Sequence, residues 1–224
     1  MNTFSWRRPH SPQQEYIMKK QVMAAIFATL AFAGAGSSFA RGPASTVSIA
    51  PLSNVEIQDL TFMREEEKVA RDVYLILYEQ WGLTPFSNIS SSEQMHMDAM
   101  LKLLRKYGLP DPAENLAIGE FANTDLQALH DTLLTYGLQS DTDALLVGGT
   151  IEETDILDLI ETMARTDNAD LDKTYSRLLC GSNNHLRAFA RIYTAISGQP
   201  YPAQTMPQSQ VDAILSAPHE RCGR

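Results

Sequence analysis

Between Val55 and Trp81 the apolar residues Leu60, Met63, Val69, Val73, Ile76 and Leu77 recur at the spacing of one helical face, and Gly82 supplies a stop. A second helix is expected from a cap at Ser90, Ser91 or Ser92, through Met100, Leu103 and Leu104, to Tyr107 before Gly108 and Pro110. The connection from Leu109 to Ser140 carries a shorter helix over Thr124 to Tyr136, where Leu126, Leu129 and Leu133 keep the period. Two more long helices are expected over about 142–166 and 170–197, the last closed by Gly198 and Pro200. No strand-like alternation of useful length and no solenoid repeat interrupts them. The pattern predicts an all-α fold, a four-helix bundle with a short helix in the crossover between helices 2 and 3.

The first forty residues follow a different pattern. Lys19 and Lys20 precede an apolar stretch from Val22 to Phe32, and Ser38-Phe39-Ala40 has the small residues of a cleavage site. The stretch is short for a membrane span and runs into Gly34, Gly36, Ser37 and Ser38, so cleavage after Ala40 and export are expected. Met18 is a possible true start, because Met1 to Ile17 is polar. The domain reading is therefore a targeting segment over 1–40, a poorly ordered Pro/Ser/Thr-rich leader over 41–54, the helical domain over 55–198, and a C-terminal tail over 199–224.

The 18 basic and 27 acidic residues give a net charge of −9. Without the four basic residues and one acid of the targeting segment, the balance becomes −12. That argues against nucleic acid and anionic membrane surfaces as partners. Cys180 and Cys222 are the two cysteines. An exported chain could join them, tying the tail to the last helix; the other reading is a buried Cys180 and a free Cys222.

The candidate chemistry lies in Glu93-Gln-Met-His96, a carboxylate and an imidazole about one helical turn apart. Glu67 in an earlier helix and His185 in a later one add a second acid and a second imidazole. Such Glu-x-x-His pairs present ligands to iron or manganese in bundle cores. Each residue also has a structural reading. Glu65, Glu66 and Glu67 could be a solvated face with Lys68 and Arg71 as exposed partners, although three consecutive acids span about 200° and push one toward the apolar side. His96 could be a satisfied core histidine, and His185 could bond Asn183, Asn184 or a facing Glu. His130 and His219 read as surface residues. Gly148-Gly149 reads as a kink, a cap or a close helix contact. The chain has no Gly-rich phosphate loop after a strand, no His-Glu-x-x-His and no nucleophile elbow.

Glu67-Lys-Val-Ala-Arg-Asp-Val-Tyr74, Glu93-Gln-Met-His96, Ile151-Glu-Glu-Thr-Asp155 and Gly181-Ser-Asn-Asn-His185-Leu-Arg-Ala-Phe189 resemble the four metal-bearing helices of the rubrerythrin and ferritin-like superfamily. More closely, they resemble an uncharacterised family of ferritin-like domains of unknown function. The resemblance covers roughly 59–196. It implies a metal site built from Glu67, Glu93, His96, Glu152 and His185, holding one or two ions of iron, with manganese as the related possibility. Glu153 is the alternative to Glu152, since each shares a face with apolar residues of the third helix. Where a complete di-iron site of that superfamily has a further Glu, three residues before His185, this chain has Ser182. That implies a reduced ligand set. Tyr74 could bond a ligand carboxylate or take part in one-electron chemistry, and Arg187 could neutralise a carboxylate in a metal-free site. The implied function is an exported metal-binding protein with oxygen, peroxide or ferroxidase-type activity. The alternative is a non-catalytic exported interaction or stress module with a vestigial site.

Overall fold

A capping box opens the first helix: the Glu56 backbone N–H donates to Ser53 Oγ, and the Ser53 N–H donates to the Glu56 carboxylate. The computed structural model describes residues 51–223, and among them it contains six helices and no strand. They are α1 (Asn54–Trp81), α2 (Thr84–Lys106), α3 (Thr124–Gly137), α4 (Asp141–Arg165), α5 (Ala169–Ser197) and α6 (Gln208–Ser216). The expected targeting segment and the leader up to residue 50 lie outside the described residues. Gly82 and Gly198 end α1 and α5 with positive φ angles of 65° and 67°, as a left-handed helix stop requires.

The long helices pair in sequence order, α1 along α2 and α4 along α5. Contacts between α1 and α4 and between α2 and α5 join the pairs, while α3 rests on α1 and α4. Two apolar clusters fill the interior. One holds Val73, Tyr74, Phe86, Ile89, Ile151 and Phe189; the other holds Leu60, Met63, Met100, Leu159, Tyr175 and Leu178. On α1, α2, α4 and α5 alike, the polar candidates fall in the turns between these clusters. That placement puts the charges between two dry walls.

Two helical boundaries differ from the sequence expectation. Helix α2 begins at Thr84 rather than at a cap on Ser90, Ser91 or Ser92. Pro85 is tolerated in a first turn whose N–H groups lack partners, and Phe86 and Ile89 are buried, so the helix starts where its apolar face does. Ser90 and Ser91 donate instead to the Ser87 carbonyl within the helix. The stretch after residue 198 is also more than a tail. It contains α6, and Tyr201, Met206 and Val211 pack with Ile156, Leu186 and Ala190. Cys180 and Cys222 are joined in a disulfide.

The run Glu65-Glu66-Glu67 is buried throughout, so it is not a solvated face. Glu65 accepts the backbone N–H groups of Ala122 (2.7 Å) and Asn123 (3.2 Å), holding the connection before α3. Lys68 is buried rather than exposed; it pairs with Asp72 and donates to the Ala117 carbonyl. His130 is likewise buried, its ring 5.2 Å from that of Phe121. A charged connection thus covers α1, and periodicity alone did not reveal what it would cover. The paired glycines of α4 are contact residues. A Cβ on Gly148 would lie 2.7 Å from the Phe189 ring, and one on Gly149 would lie 1.9 Å from Tyr201 Oη.

Candidate metal centre

Helical spacing carries the five candidate residues to one place. Glu93 and His96 share a face of α2 because they are three residues apart. Glu67, Glu93 and Glu152 are each 2% exposed, and His96 and His185 are 9% and 8% exposed. His96 Nδ1 stands 2.8 Å from Glu93 Oε2 and 3.3 Å from Glu67 Oε2. His185 Nδ1 stands 2.8 Å from Glu93 Oε1 and 3.4 Å from Glu152 Oε2. Glu93 therefore turns one oxygen to each histidine. Its oxygens complete two groups able to hold a metal ion, Glu67–Glu93–His96 and Glu93–Glu152–His185, each with its atoms within 4.8 Å of one another.

The same nitrogen of each imidazole faces two carboxylates, which one N–H cannot serve in good alignment. His185 Nδ1 and Glu93 Oε1 lie close enough to pair but make no directed hydrogen bond, and Glu67 Oε1 is buried without a partner. A cation between such atoms would satisfy all of them. The remaining contacts fix the ligands from behind. Tyr74 Oη donates to Glu152 Oε1 at 2.6 Å, and His185 Nε2 lies 2.9 Å from Ser92 Oγ. The two imidazole rings stack with centroids 5.5 Å apart. Gly181 permits this closeness, because a Cβ there would lie 2.7 Å from His96 Nε2.

Burial and crowding set the proton affinities. Burial pushes the Glu67 carboxyl up to about 7, against the pull of His96. Burial also favours the neutral form of Glu93, but the charges on His185 and His96 overcome it and hold this carboxyl well below the usual range. For His185, burial opposes the charged ring, yet Glu93 and Glu152 raise it to about 10. The same contest at His96, won by Glu67 and Glu93, raises that ring well above its ordinary value. Burial raises Glu152, and it raises the Tyr74 hydroxyl together with the facing Glu152.

The structure brings Glu67, Glu93, His96, Glu152 and His185 together, and of the neighbours Glu152 and Glu153 it turns only Glu152 toward them. Glu153 points out of the site, where its carboxylate accepts from Tyr201 Oη and from the backbone N–H groups of Gln204, Thr205 and Met206. Arg187 is also elsewhere: it binds Glu220, the Ile214 carbonyl and Asn184, so it does not neutralise the acids of the site. Two further polar residues near the cluster carry no site role in the sequence reading. Ser92 was expected as a cap and instead meets His185. Asp155, buried and bonded through Oδ2 to Ser182 Oγ at 2.5 Å, could have been found from its Glu-x-x-Asp spacing after Glu152.

Residues 56–218 match the family model described as an uncharacterized protein domain, DUF2202. An uncharacterized protein of Methanocaldococcus jannaschii, MJ0754, is 45% identical over 171 residues, which are 76% of this chain and 92% of that protein. The crystal structure of hypothetical protein MJ0754 from Methanococcus jannaschii aligns with a TM-score of 0.74 at 45% identity, covering 79% of this chain and 100% of that one.

Proposed function

The chain belongs to the DUF2202 family, and from its buried acid and imidazole cluster we propose that it is a ferritin-like four-helix protein that binds two transition-metal ions, iron or manganese. In this reading α1, α2, α4 and α5 form the bundle and α3 lies in the crossover. The observation that carries it is Glu93, whose two oxygens face the two histidines separately. Glu67 and Glu152 are the outer carboxylates, and His96 and His185 the nitrogen ligands, a mixed oxygen and imidazole set suited to iron and manganese. Bound iron would supply Lewis acidity and one-electron chemistry toward oxygen, peroxide or ferrous substrate. The chain itself holds the ligands between two apolar walls, keeps Tyr74 hydrogen-bonded to Glu152, and stores protons on Glu67 and both histidines.

A vestigial, self-neutralising network in a non-catalytic module is the competing reading. Its support is that the histidines already lie within ion-pairing distance of the acids. Against it stands the number of acids: four buried carboxyls face two imidazoles and Arg187 is engaged elsewhere, so a metal-free network must keep the surplus acids, Asp155 and Glu67, protonated in a buried site.

Anaerobic titration of metal-free protein with ferrous ion tests the proposal. Two ions per chain are expected, with release of protons into the buffer. The raised values at Glu67 and His185 mean that the metal-free site holds these protons below about pH 7 and about pH 10. Metal must displace them, so affinity rises with pH. It should gain about tenfold per pH unit for each proton displaced, and more steeply below pH 7, where Glu67 contributes. No uptake, or uptake that is independent of pH, refutes the proposal.

We also propose export, from the basic, apolar and small-residue pattern of residues 1–40; the disulfide fits an oxidising compartment. Among the described residues no helix is long and apolar enough to cross a membrane. Protein recovered outside the cytoplasm should begin near Arg41. N-terminal sequencing that returns Met1 or Met18 from that fraction counts against cleavage.

A further inference from the structure

Asp155 is a buried carboxylate that the two ligand sets leave out. Its Oδ2 meets Ser182 Oγ at 2.5 Å, and its Oδ1 is buried without any hydrogen-bond partner. The Ser182 hydroxyl also lies 2.9 Å from the Leu178 carbonyl, and it has one hydrogen to give. Asp155 therefore receives at most one donor for two buried oxygens. An ionised carboxylate so poorly served is expensive to bury unless a cation is near.

The helices fix where Asp155 points. It follows Glu152 by three residues and shares its face of α4, and Ser182 precedes His185 by three on α5. Both are thereby shifted one turn from the Tyr74–Phe189 cluster toward the cluster of Met63, Leu159 and Leu178. Glu67 lies one turn from Met63, and His96 one turn from Met100, so the shift brings Asp155 level with the Glu67–His96 ligand set. Burial first, and then the negative charge of nearby Glu67, raises the Asp155 carboxyl well above its ordinary value, so without a cation it holds a proton. Glu67 Oε1 is also buried without a hydrogen-bond partner. Helical register thus sets two carboxylates, from α1 and α4, at one level between the helices, each with one buried oxygen that has no hydrogen-bond partner.

We propose that Asp155, oriented by Ser182, is an additional carboxylate ligand for the metal ion on the Glu67–His96 side of the centre. This rests on the metal reading above. The two halves of the centre then differ: Asp155 serves the ion beside Glu67, while Tyr74 braces the carboxylate of the other half. Ser182 carries no charge, and its role is to aim the charge on the neighbouring helix.

Cobalt(II) alone is the probe, followed by visible absorption and by metal analysis after desalting, with wild type, Asp155→Asn, Asp155→Glu and Ser182→Ala measured in parallel. Asp155→Asn keeps the shape and the contact to Ser182 but removes the charge. It is expected to retain one ion and to weaken the second about 10–100-fold or more, the loss typical of even an indirect partner. The absorption bands of that second ion should change or vanish. Asp155→Glu should keep two ions, and Ser182→Ala should weaken the second ion less than Asp155→Asn does. Asp155→Asn protein that takes up two ions with wild-type affinity and spectrum overturns the inference and leaves the metal reading standing. Should Asp155→Asn fail to fold, a Ser182→Ala protein with an unchanged second ion overturns it instead. Wild type that takes up no cobalt overturns both.

Discussion

Glu93→Ala protein, loaded beside wild type, is expected to lose both metal ions together. Each ligand set contains Glu93, so its removal takes an anionic ligand from both ions at once and brings two like charges together with less to offset their repulsion. The affinity loss should exceed about 100-fold, the upper range for losing a mere supporting partner. Glu67→Ala and Glu152→Ala should each strike one ion harder than the other. In the metal-free protein Glu93 also compensates two imidazoles at 2.8 Å. Taking it away should cost about 3–5 kcal/mol of stability, as breaking a buried pair does, softened where the histidines shed their protons. Metal analysis and thermal unfolding in chelator separate the two effects. Equal metal content in Glu93→Ala and wild type would remove the shared-carboxylate reading.

The long helices were legible because each carries an apolar stripe between strong stops. Gly82 and Gly198 stand in the left-handed conformation that the expected ends require, and α1, α4 and α5 begin within one residue of their expected starts. The start of α2 was obscured because Ser90, Ser91 and Ser92 mimic a cap, whereas the effective signal was Pro85 followed by two buried apolar residues. α6 was missed because Val211, Ile214 and Leu215 form a stripe too brief to stand out after Gly198 and Pro200.

The site was legible where side chains repeat at i and i+3, and obscured where charge alone had to be judged. The resemblance singles out Glu67 among the three acids, but the charge pattern does not show that Glu65 serves the connection before α3. Nor could it show that Lys68 would be buried against Asp72. These depend on which segment folds over α1, which is tertiary information. Asp155 is the instructive omission. It stood one turn from a named ligand, but its partner Ser182 looked like the loss of a carboxylate rather than the support of another.

Glu152 and Glu153 provide the sharpest separation of metal chemistry from architecture, since they are neighbours about 100° apart on α4 that meet different partners. Glu153→Ala is expected to leave the metal ligands in place and to damage the fold. Its carboxylate accepts from Tyr201 Oη at 2.8 Å and from the N–H groups of Gln204, Thr205 and Met206 at 2.9, 2.6 and 2.8 Å. Each buried donor left unsatisfied costs about 1–3 kcal/mol, although the segment can relax toward water, so a total near 3–5 kcal/mol is expected. Backbone amides of residues 201–216 should lose hydrogen-exchange protection first, because Tyr201, Met206 and Val211 dock α6 through this anchor. The disulfide from Cys180 to Cys222 keeps the far end of the segment attached, which should confine the opening to the stretch between. Glu152→Ala should do the reverse. It removes an oxygen ligand and the acceptor of the Tyr74 hydroxyl, which retains the Gly148 carbonyl at 3.3 Å as a second acceptor, so metal is lost with a smaller change in stability. If Glu153→Ala lost metal while keeping its melting temperature, the division of labour between these two carboxylates would have to be reversed.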